Sequence, residues 1–424
     1  MAGCMAICGR MPPPPSQIYS ADRLRNWLRQ LFFSGDVLNK QPCLCSESWN
    51  DDIIVEILSR LPVKYLLRCR SVCKSWRALI SRSYFVKKHL NHAINGIDNS
   101  SNCTIRLLFL HNKNFLEHHP ESMLVDSLKD FVGHTASKEL DIPGILEVIV
   151  GSCNGLICLK ARCGGVFLWN PCTGDASKLP EQTVSDANWD DMFYGFGYDS
   201  TTEDFKVILG GTTTTKIEVF TLKKGSWRNV GNLRDYGKIS GQGCLSNGAL
   251  HWIEKGRDYQ YSSTSRIILF NLAEEKFLEM VRLSFLSNNK YSQIGMSTIR
   301  NSLFVYCAHA HEVISDPILF TIWTMEEYGV MESWTKVQIH RDCVPRPPAL
   351  HIYIGPIVIL QNGEVLMTWN ELHHSGNLSS FILYNLHKKK SRIASRIRVC
   401  DSYHQAMYIE TLVSPITGSG AVDI

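Results

Sequence analysis

Residues 49–90 read WNDDIIVEILSRLPVKYLLRCRSVCKSWRALISRSYFVKKHL, a long segment whose apolar residues recur at helical spacing. Ile53, Ile54, Ile57, Leu58 and Leu61 form one apolar stripe, leaving Asp51, Asp52, Glu56 and Arg60 for the other side. Asn50 is suited to cap the first turn, where Asp51 and Asp52 place negative charge against unpaired N–H groups. Pro62 ends that helix. Leu66, Leu67, Cys69, Val72, Cys73, Trp76, Leu79 and Ile80 continue the pattern, with breaks expected at Ser71 or Ser75. The spacing therefore predicts three short helices over 49–92. A unit of this size has little core of its own and gains by leaning on a partner or on the rest of the chain.

The flanks differ sharply from this unit. Residues 1–48 read as a loose tail in which Pro12 to Pro15 favour extended geometry. Within the tail, Leu24, Trp27, Leu28 and Leu31 beside Arg23, Arg25 and Arg29 outline a basic amphipathic helix, and 34–48 reads as a linker. Arg10 and the prolines interrupt any signal-like apolar core, and no run is apolar and long enough to span a bilayer. Through Leu90 the chain carries fourteen Lys and Arg against six Asp and Glu; the remainder carries 30 against 34. The basic excess belongs to the front end, so the larger part is not expected to bind nucleic acid specifically. With 20% charged and 44% hydrophobic residues the composition is that of a folded chain. Fifteen scattered cysteines, an odd number, point to free thiols in a reducing compartment, hence cytoplasm and/or nucleus.

From Cys103 to about 415 the texture changes to short apolar runs separated by Gly, Pro, Asn and Asp, which predicts many short strands. Expected strands include 105–110, 147–150, 156–159, 166–169, 205–209, 217–221, 249–253, 267–271, 303–307, 318–325, 365–368 and 381–384. No helices of 10 to 15 residues intervene, so the region is all-β rather than βαβ. Three hairpin signals recur: Asn154-Gly155, Asn247-Gly248 and Asn362-Gly363, each between apolar runs and each suited to a two-residue turn. Their separation of roughly 100 residues fits two four-stranded units apiece. The fold class is thus multidomain α+β, a short three-helix unit followed by an all-β, propeller-like domain of about six blades. Trp169, Trp227, Trp252, Trp323, Trp334 and Trp369 are expected between sheets.

On these residues two resemblances rest. I-x-E-I-L-S-R-L-P-V-K-x-L-L-R-x-R-x-V-C-K-S-W-R-x-L-I, Ile54 to Ile80, resembles the plant F-box. The family usually opens with Leu-Pro before the acidic pair, where this chain has Trp49-Asn50. The segments C-N-G-L-I-C-L, L-W-N-P-x-T-G, G-F-G-Y-D-x-x-T-x-D-F-K-V, N-G-A-L-H-W and M-E-E-Y-G-V-x-E-S-W-T-K resemble the F-box associated, or F-box/kelch-repeat, domain. Repeated Gly-Gly pairs at fixed distance from Tyr and Trp are missing, so the kelch label matches only in part. The resemblance implies a substrate-recognition subunit of an SCF-type ubiquitin ligase. Trp49, Ile53, Ile54, Ile57, Leu58, Leu61, Pro62, Val63 and Leu66 would bind a small adaptor and, through it, a cullin, while the β domain would hold a protein substrate. A non-ligase interaction module or decoy is the alternative.

No constellation of catalytic, metal-binding or cofactor-binding residues stands out. Cys307, His309 and His311 alternate along a strand end without a fourth ligand in register. His118-His119 and His373-His374 are expected in polar loops. G-F-G-Y-D at 195–199 completes neither phosphate-binding glycine motif and precedes no helix. A carbohydrate-processing propeller would need an acidic pair across a cavity, for which Asp191, Asp199 and Asp204 are the candidates. No catalytic residue and no cofactor are expected.

Overall fold

The computed structural model describes residues 51–421 apart from 97–104, 115–116, 125–137, 140–145, 162–164, 184–191, 212–215, 234–235, 256–264, 287–290, 300–301, 310–317, 341–352, 360–362, 372–377 and 399–404. The tail, the helix expected at 21–33, Trp49, Asn50, Asp191, His311, Asn362 and His373-His374 lie outside the described residues. Four helices come first: α1 (Asp51–Leu58), α2 (Val63–Cys69), α3 (Lys74–Ile80) and α4 (Ser83–Gly96). Three were expected, with a polar loop from Asn91. Helix α4 instead runs on to Gly96, because Leu90 is buried and Ile94 packs on the same core, carrying the polar residues between them.

The strands form six sheets, each antiparallel between chain neighbours. Blade 1 contains Ile105–Asn114, Glu117–Leu124 and Lys138–Glu139, and its innermost strand, Gln405–Ile409, comes from the far end of the β region. Blade 2 is Leu146–Cys153, Leu156–Ala161, Val166–Trp169 and Ala176–Lys178. Blade 3 is Met192–Asp199, Asp204–Gly211, Lys216–Thr221 and Ser226–Asn232, with Gly241–Gln242 added parallel to its first strand. Blade 4 is Cys244–Ser246, Ala249–Glu254, Arg266–Asn271 and Lys276–Arg282. Blade 5 is Tyr291–Ile299, Ser302–His309, Ile318–Met325 and Trp334–His340, and blade 6 is Tyr353–Ile359, Glu364–Glu371, Leu378–Asn385 and Lys390–Arg398. Each blade packs on the next through its own apolar layer. Trp169 with Leu108 and Tyr408 joins blades 1 and 2, Phe193 with Trp252 joins 3 and 4, and Phe304 with Met367 joins 5 and 6. The architecture is a β-propeller.

Two Asn-Gly turns are as expected: Asn154-Gly155 and Asn247-Gly248 both take positive φ at both residues, the geometry that closes a two-residue hairpin. Trp169 and Trp252 are buried between sheets, while Trp227, Trp323 and Trp334 are half-buried. One expectation is corrected: His118 and His119 belong to a strand, where His119 pairs with His111.

The G-F-G-Y-D stretch is the inner strand of blade 3. A Cβ on Gly195 would stand 2.7 Å from Leu250, and one on Gly197 would stand 2.7 Å from Leu272. The two glycines therefore let blade 4 close on blade 3, which accounts for the G-x-G pattern without a phosphate. The acidic residues that follow are also structural. Asp199 and Asp204 oppose each other at the hairpin end. Asp199 accepts from the N–H and hydroxyl of Thr201 and from the Thr202 hydroxyl, while Asp204 accepts from the Lys223 N–H. Lys206, 3% exposed, pairs with Asp199 at 2.7 Å and with Glu275 of the blade 4 turn at 2.8 Å. It also donates to the Leu272 carbonyl. Burial alone would raise the Asp199 carboxyl, but hydrogen bonds from Lys206, Thr201 and Thr202 outweigh it and hold the group at about 2. Neither carboxylate is free to serve carbohydrate chemistry.

Candidate functional site

The helical unit is built by an amphipathic pattern with two sharp breaks. Helix α1 ends in a tightened turn, Arg60 and Leu61 N–H groups bonding to Ile57 and Leu58 carbonyls. Pro62 then stands at the N-cap of α2 with φ −56° and ψ 147°, a position that needs no donor. Between α2 and α3 the chain breaks at Ser71–Cys73, and the Cys73 sulfur caps α3 by accepting from Trp76 N–H at 3.5 Å. His89 of α4 ties the unit together. Its Nε2 donates to the Leu61 carbonyl at 3.0 Å, and its Nδ1 meets no hydrogen-bond partner among the described residues. Burial pulls this histidine down to about 4.

Of the nine residues expected to bind an adaptor, Trp49 lies outside the described residues and the other eight are placed in distinct ways. Ile53 is 51% exposed, and Ile54, Ile57 and Pro62 are half-buried. Leu58, Leu61, Val63 and Leu66 are buried in an apolar cluster that the helices share with the propeller. Periodicity marks a stripe as apolar but does not say which neighbour covers it. Two exposed apolar side chains were not singled out as contact residues: Val72, 52% exposed, and Tyr84, 67% exposed. Val72 belonged to the apolar pattern of the second helical group; nothing in the spacing marks Tyr84. The outer surface is also charged. Lys74 and Arg77 are exposed, and Glu56 lies between Arg60 and Lys88. Hydrogen bonds from Lys88 and then Arg60 lower the Glu56 carboxyl to about 2.

The inner side of the helices faces the propeller. Strands alternate in direction, so in blades 2 to 6 the turns joining first to second and third to fourth strands share one end of the propeller. The helices sit at that end. Lys87 of α4 pairs with Glu203 in the blade 3 hairpin turn, and one continuous apolar cluster includes Leu58, Leu66 and Val86 together with Val150, Leu156 and Phe205. The opposite end, where second strands lead to third and each blade leads to the next, carries none of the helical contacts just described.

The remaining candidate groups are accounted for by packing. Cys307 is buried, and His309 Nε2 lies 3.0 Å from the Thr321 hydroxyl. His251 Nδ1 donates to the Cys244 carbonyl at 3.1 Å and its Nε2 accepts from the Tyr328 hydroxyl at 2.7 Å, joining blade 4 to the third turn of blade 5. Burial lowers His251 to about 4 and raises the Cys244 thiol to about 12. Among the described residues no group of three or more His, Cys, Asp or Glu is arranged to hold a metal, and no helix is long and apolar enough to cross a membrane.

Comparison with known proteins matches this arrangement. Residues 44–88 match the F-box domain, and residues 118–415 match the F-box associated beta propeller domain. The chain belongs to the F-box associated β-propeller family. Among its relatives in Arabidopsis thaliana, F-box protein CPR1 is 27% identical over 392 residues, covering 85% of this chain and 88% of the relative. An F-box/kelch-repeat protein of the same plant is 24% identical, covering 86% and 95%. Among solved structures, TolB from Acinetobacter baumannii aligns with a TM-score of 0.44 at 7% identity, over 76% of this chain and 72% of that one. Likeness of that degree carries no argument.

Proposed function

We propose that this F-box protein is the substrate-recognition subunit of an SCF-type ubiquitin ligase. The observation that carries the proposal is the two-sidedness of the helical unit. One side shares a core with the propeller, while Ile53, Val72 and Tyr84 are large apolar groups left exposed among the described residues. Such a surface suits a small adaptor and, through it, a cullin. The propeller would hold a protein target at the end away from the helices, and its negative charge balance supports a protein rather than a nucleic acid there. Ubiquitin transfer would follow from proximity: both reactants are raised in effective concentration, and this chain supplies no bond-making side chain. Among the described residues Cys69, Cys73, Cys158, Cys244 and Cys307 form no disulfide, which supports residence in the cytoplasm or nucleus.

The test is adaptor capture by the full chain and by an Ile53→Glu, Val72→Glu double variant whose circular dichroism is unchanged. A loss of capture of about tenfold or more is expected when apolar anchors at an interface centre are replaced by charge. Equal capture by both proteins would sink the proposed contact surface. The Trp49-Asn50 departure from Leu-Pro motivates the alternative, an interaction module or decoy without ligase assembly. Absence of adaptor and cullin from a folded wild-type preparation would favour it.

A further inference from the structure

Beyond the closing strand of blade 1, residues Glu410–Ala421 turn back between the propeller and the helices. Thr411, Leu412, Val413 and Ala421 are buried. On the propeller side, Asn170 of blade 2 is fully buried and donates through Nδ2 to the carbonyls of Thr411 at 3.1 Å and Val413 at 2.8 Å. Its own side-chain oxygen accepts from Cys172 and Thr173 N–H groups, so one asparagine shapes the blade 2 turn and grips the segment. Gly155 adds a close approach, since a Cβ there would lie 2.9 Å from Thr411 Cβ. Further on, a Cβ on Gly418 would stand 3.1 Å from Leu222 and 3.1 Å from Phe205 of blade 3. On the helical side, Gly420 lies against α4. A Cβ on it would stand 2.6 Å from Val86 Cβ and 3.3 Å from the Lys87 nitrogen, and its φ of +91° already excludes most side chains. Leu412, Val413 and Ala421 belong to the same apolar cluster as Val86 and Leu90.

We propose that Thr411–Ala421 is a strap that fixes the helical unit against one end of the propeller, with Asn170 and Gly420 as its two fastening points. The exposed Lys87–Glu203 pair, at 3.6 Å, also links the units, but exposed pairs of that kind hold little; the charge of Asp175 in blade 2 acts on Arg70 of α2 as well. Under the ligase reading, the strap sets the angle between adaptor and target. The strap itself does not depend on that reading, and its test does not use ligase activity.

Hydrogen exchange of the full chain, followed by peptide mass analysis, distinguishes the cases. In the wild type, α4 and the strap exchange slowly together. Gly420→Leu is expected to speed exchange in both by about tenfold or more while blades 4 to 6 keep their wild-type rates, because local opening is released without global unfolding. Removing residues 418–424 makes the same test without forcing a side chain into the contact, and it stands in should Gly420→Leu not fold. Ile416→Glu, at an exposed position of the same segment, should change nothing. Unchanged rates in α4 after the removal would overturn the strap. So would acceleration spread equally over every blade or a protein that no longer folds, since a tie between two units is dispensable to each. A wild type that protects α4 but captures no adaptor would support the strap and count against the ligase role alone.

Discussion

Glu56 in α1 and Glu275 in blade 4 each lie between two cations, yet the two carboxylates do different work. Glu56 pairs with Arg60 and Lys88 at a surface, 43% exposed. Glu275 pairs with Lys206 and Arg228 where blade 4 meets blade 3, and Lys206 and Asp199 beside it are almost wholly out of water. In water such a pair contributes little, since solvent screens the attraction and holding two long side chains costs entropy. Out of water, the loss of one member leaves charge with nothing to offset it. The propeller thus uses ions internally to join blades, whereas the helical unit keeps the Glu56 ions outside and joins the propeller through apolar surface.

Lys206→Met should have the largest effect, because it strands Asp199 and Glu275. A loss of ~3–5 kcal/mol is expected from urea unfolding midpoints, and adding Asp199→Asn and Glu275→Gln should recover part of it. A loss under ~1 kcal/mol would mean that water reaches the junction. Acid should come next. His89 and His251 are neutral when folded, each near 4, and are protonated in the unfolded chain below about 6.5. The unfolded state therefore binds more protons across that window. Stability is full above pH 6.5 and falls as pH drops toward 4, by ~2–3 kcal/mol for each histidine. Asp199, held at about 2, adds a further loss only below its unfolded value near 4. The histidine contribution is checked by stability against pH for His251→Gln, which should flatten half of the upper limb. The smallest effect belongs to Glu56→Gln, at most ~1 kcal/mol at low salt and nothing measurable in 1 M salt. A larger change would place Glu56 in the same class as Glu275.

Much of this architecture was legible in the chain. The middle strands, such as Leu156–Ala161 and Val166–Trp169, are buried on both faces and read as apolar runs, whereas the inner strands Met192–Asp199, Cys244–Ser246 and Tyr291–Ile299 were not expected. Asn154-Gly155 and Asn247-Gly248 marked hairpins because few residue pairs accept positive φ twice. The outermost strands escaped notice. Ser226–Asn232 and Lys276–Arg282 alternate partly exposed polar residues at the rim, so no apolar run marks them. The site was less legible than the fold. One apolar stripe supplies both Leu58, sealed inside, and Ile53, left outside, and only the packing of four helices against each other and the propeller separates the two. The acidic residues after Tyr198 were named as carbohydrate candidates, yet their partners Lys206 and Lys223, and Glu275 that shares Lys206, come from turns and strands that no local pattern links to them.

Blade 1 carries a consequence for how the molecule is made. Its inner strand, Gln405–Ile409, pairs with Ile105–Asn114, some 300 residues earlier. On the ribosome, blade 1 must therefore wait with an unpaired inner edge while the other five blades are synthesised, and an open edge of that kind invites pairing with other chains. At about 5–20 residues per second the wait is on the order of tens of seconds. The closing strand and the strap then leave the ribosome together, so completion of the ring and seating of the helices are one late event. A chain that stops before residue 405 lacks both, so the propeller and the helices first take their joint shape only once residues 405–421 have emerged.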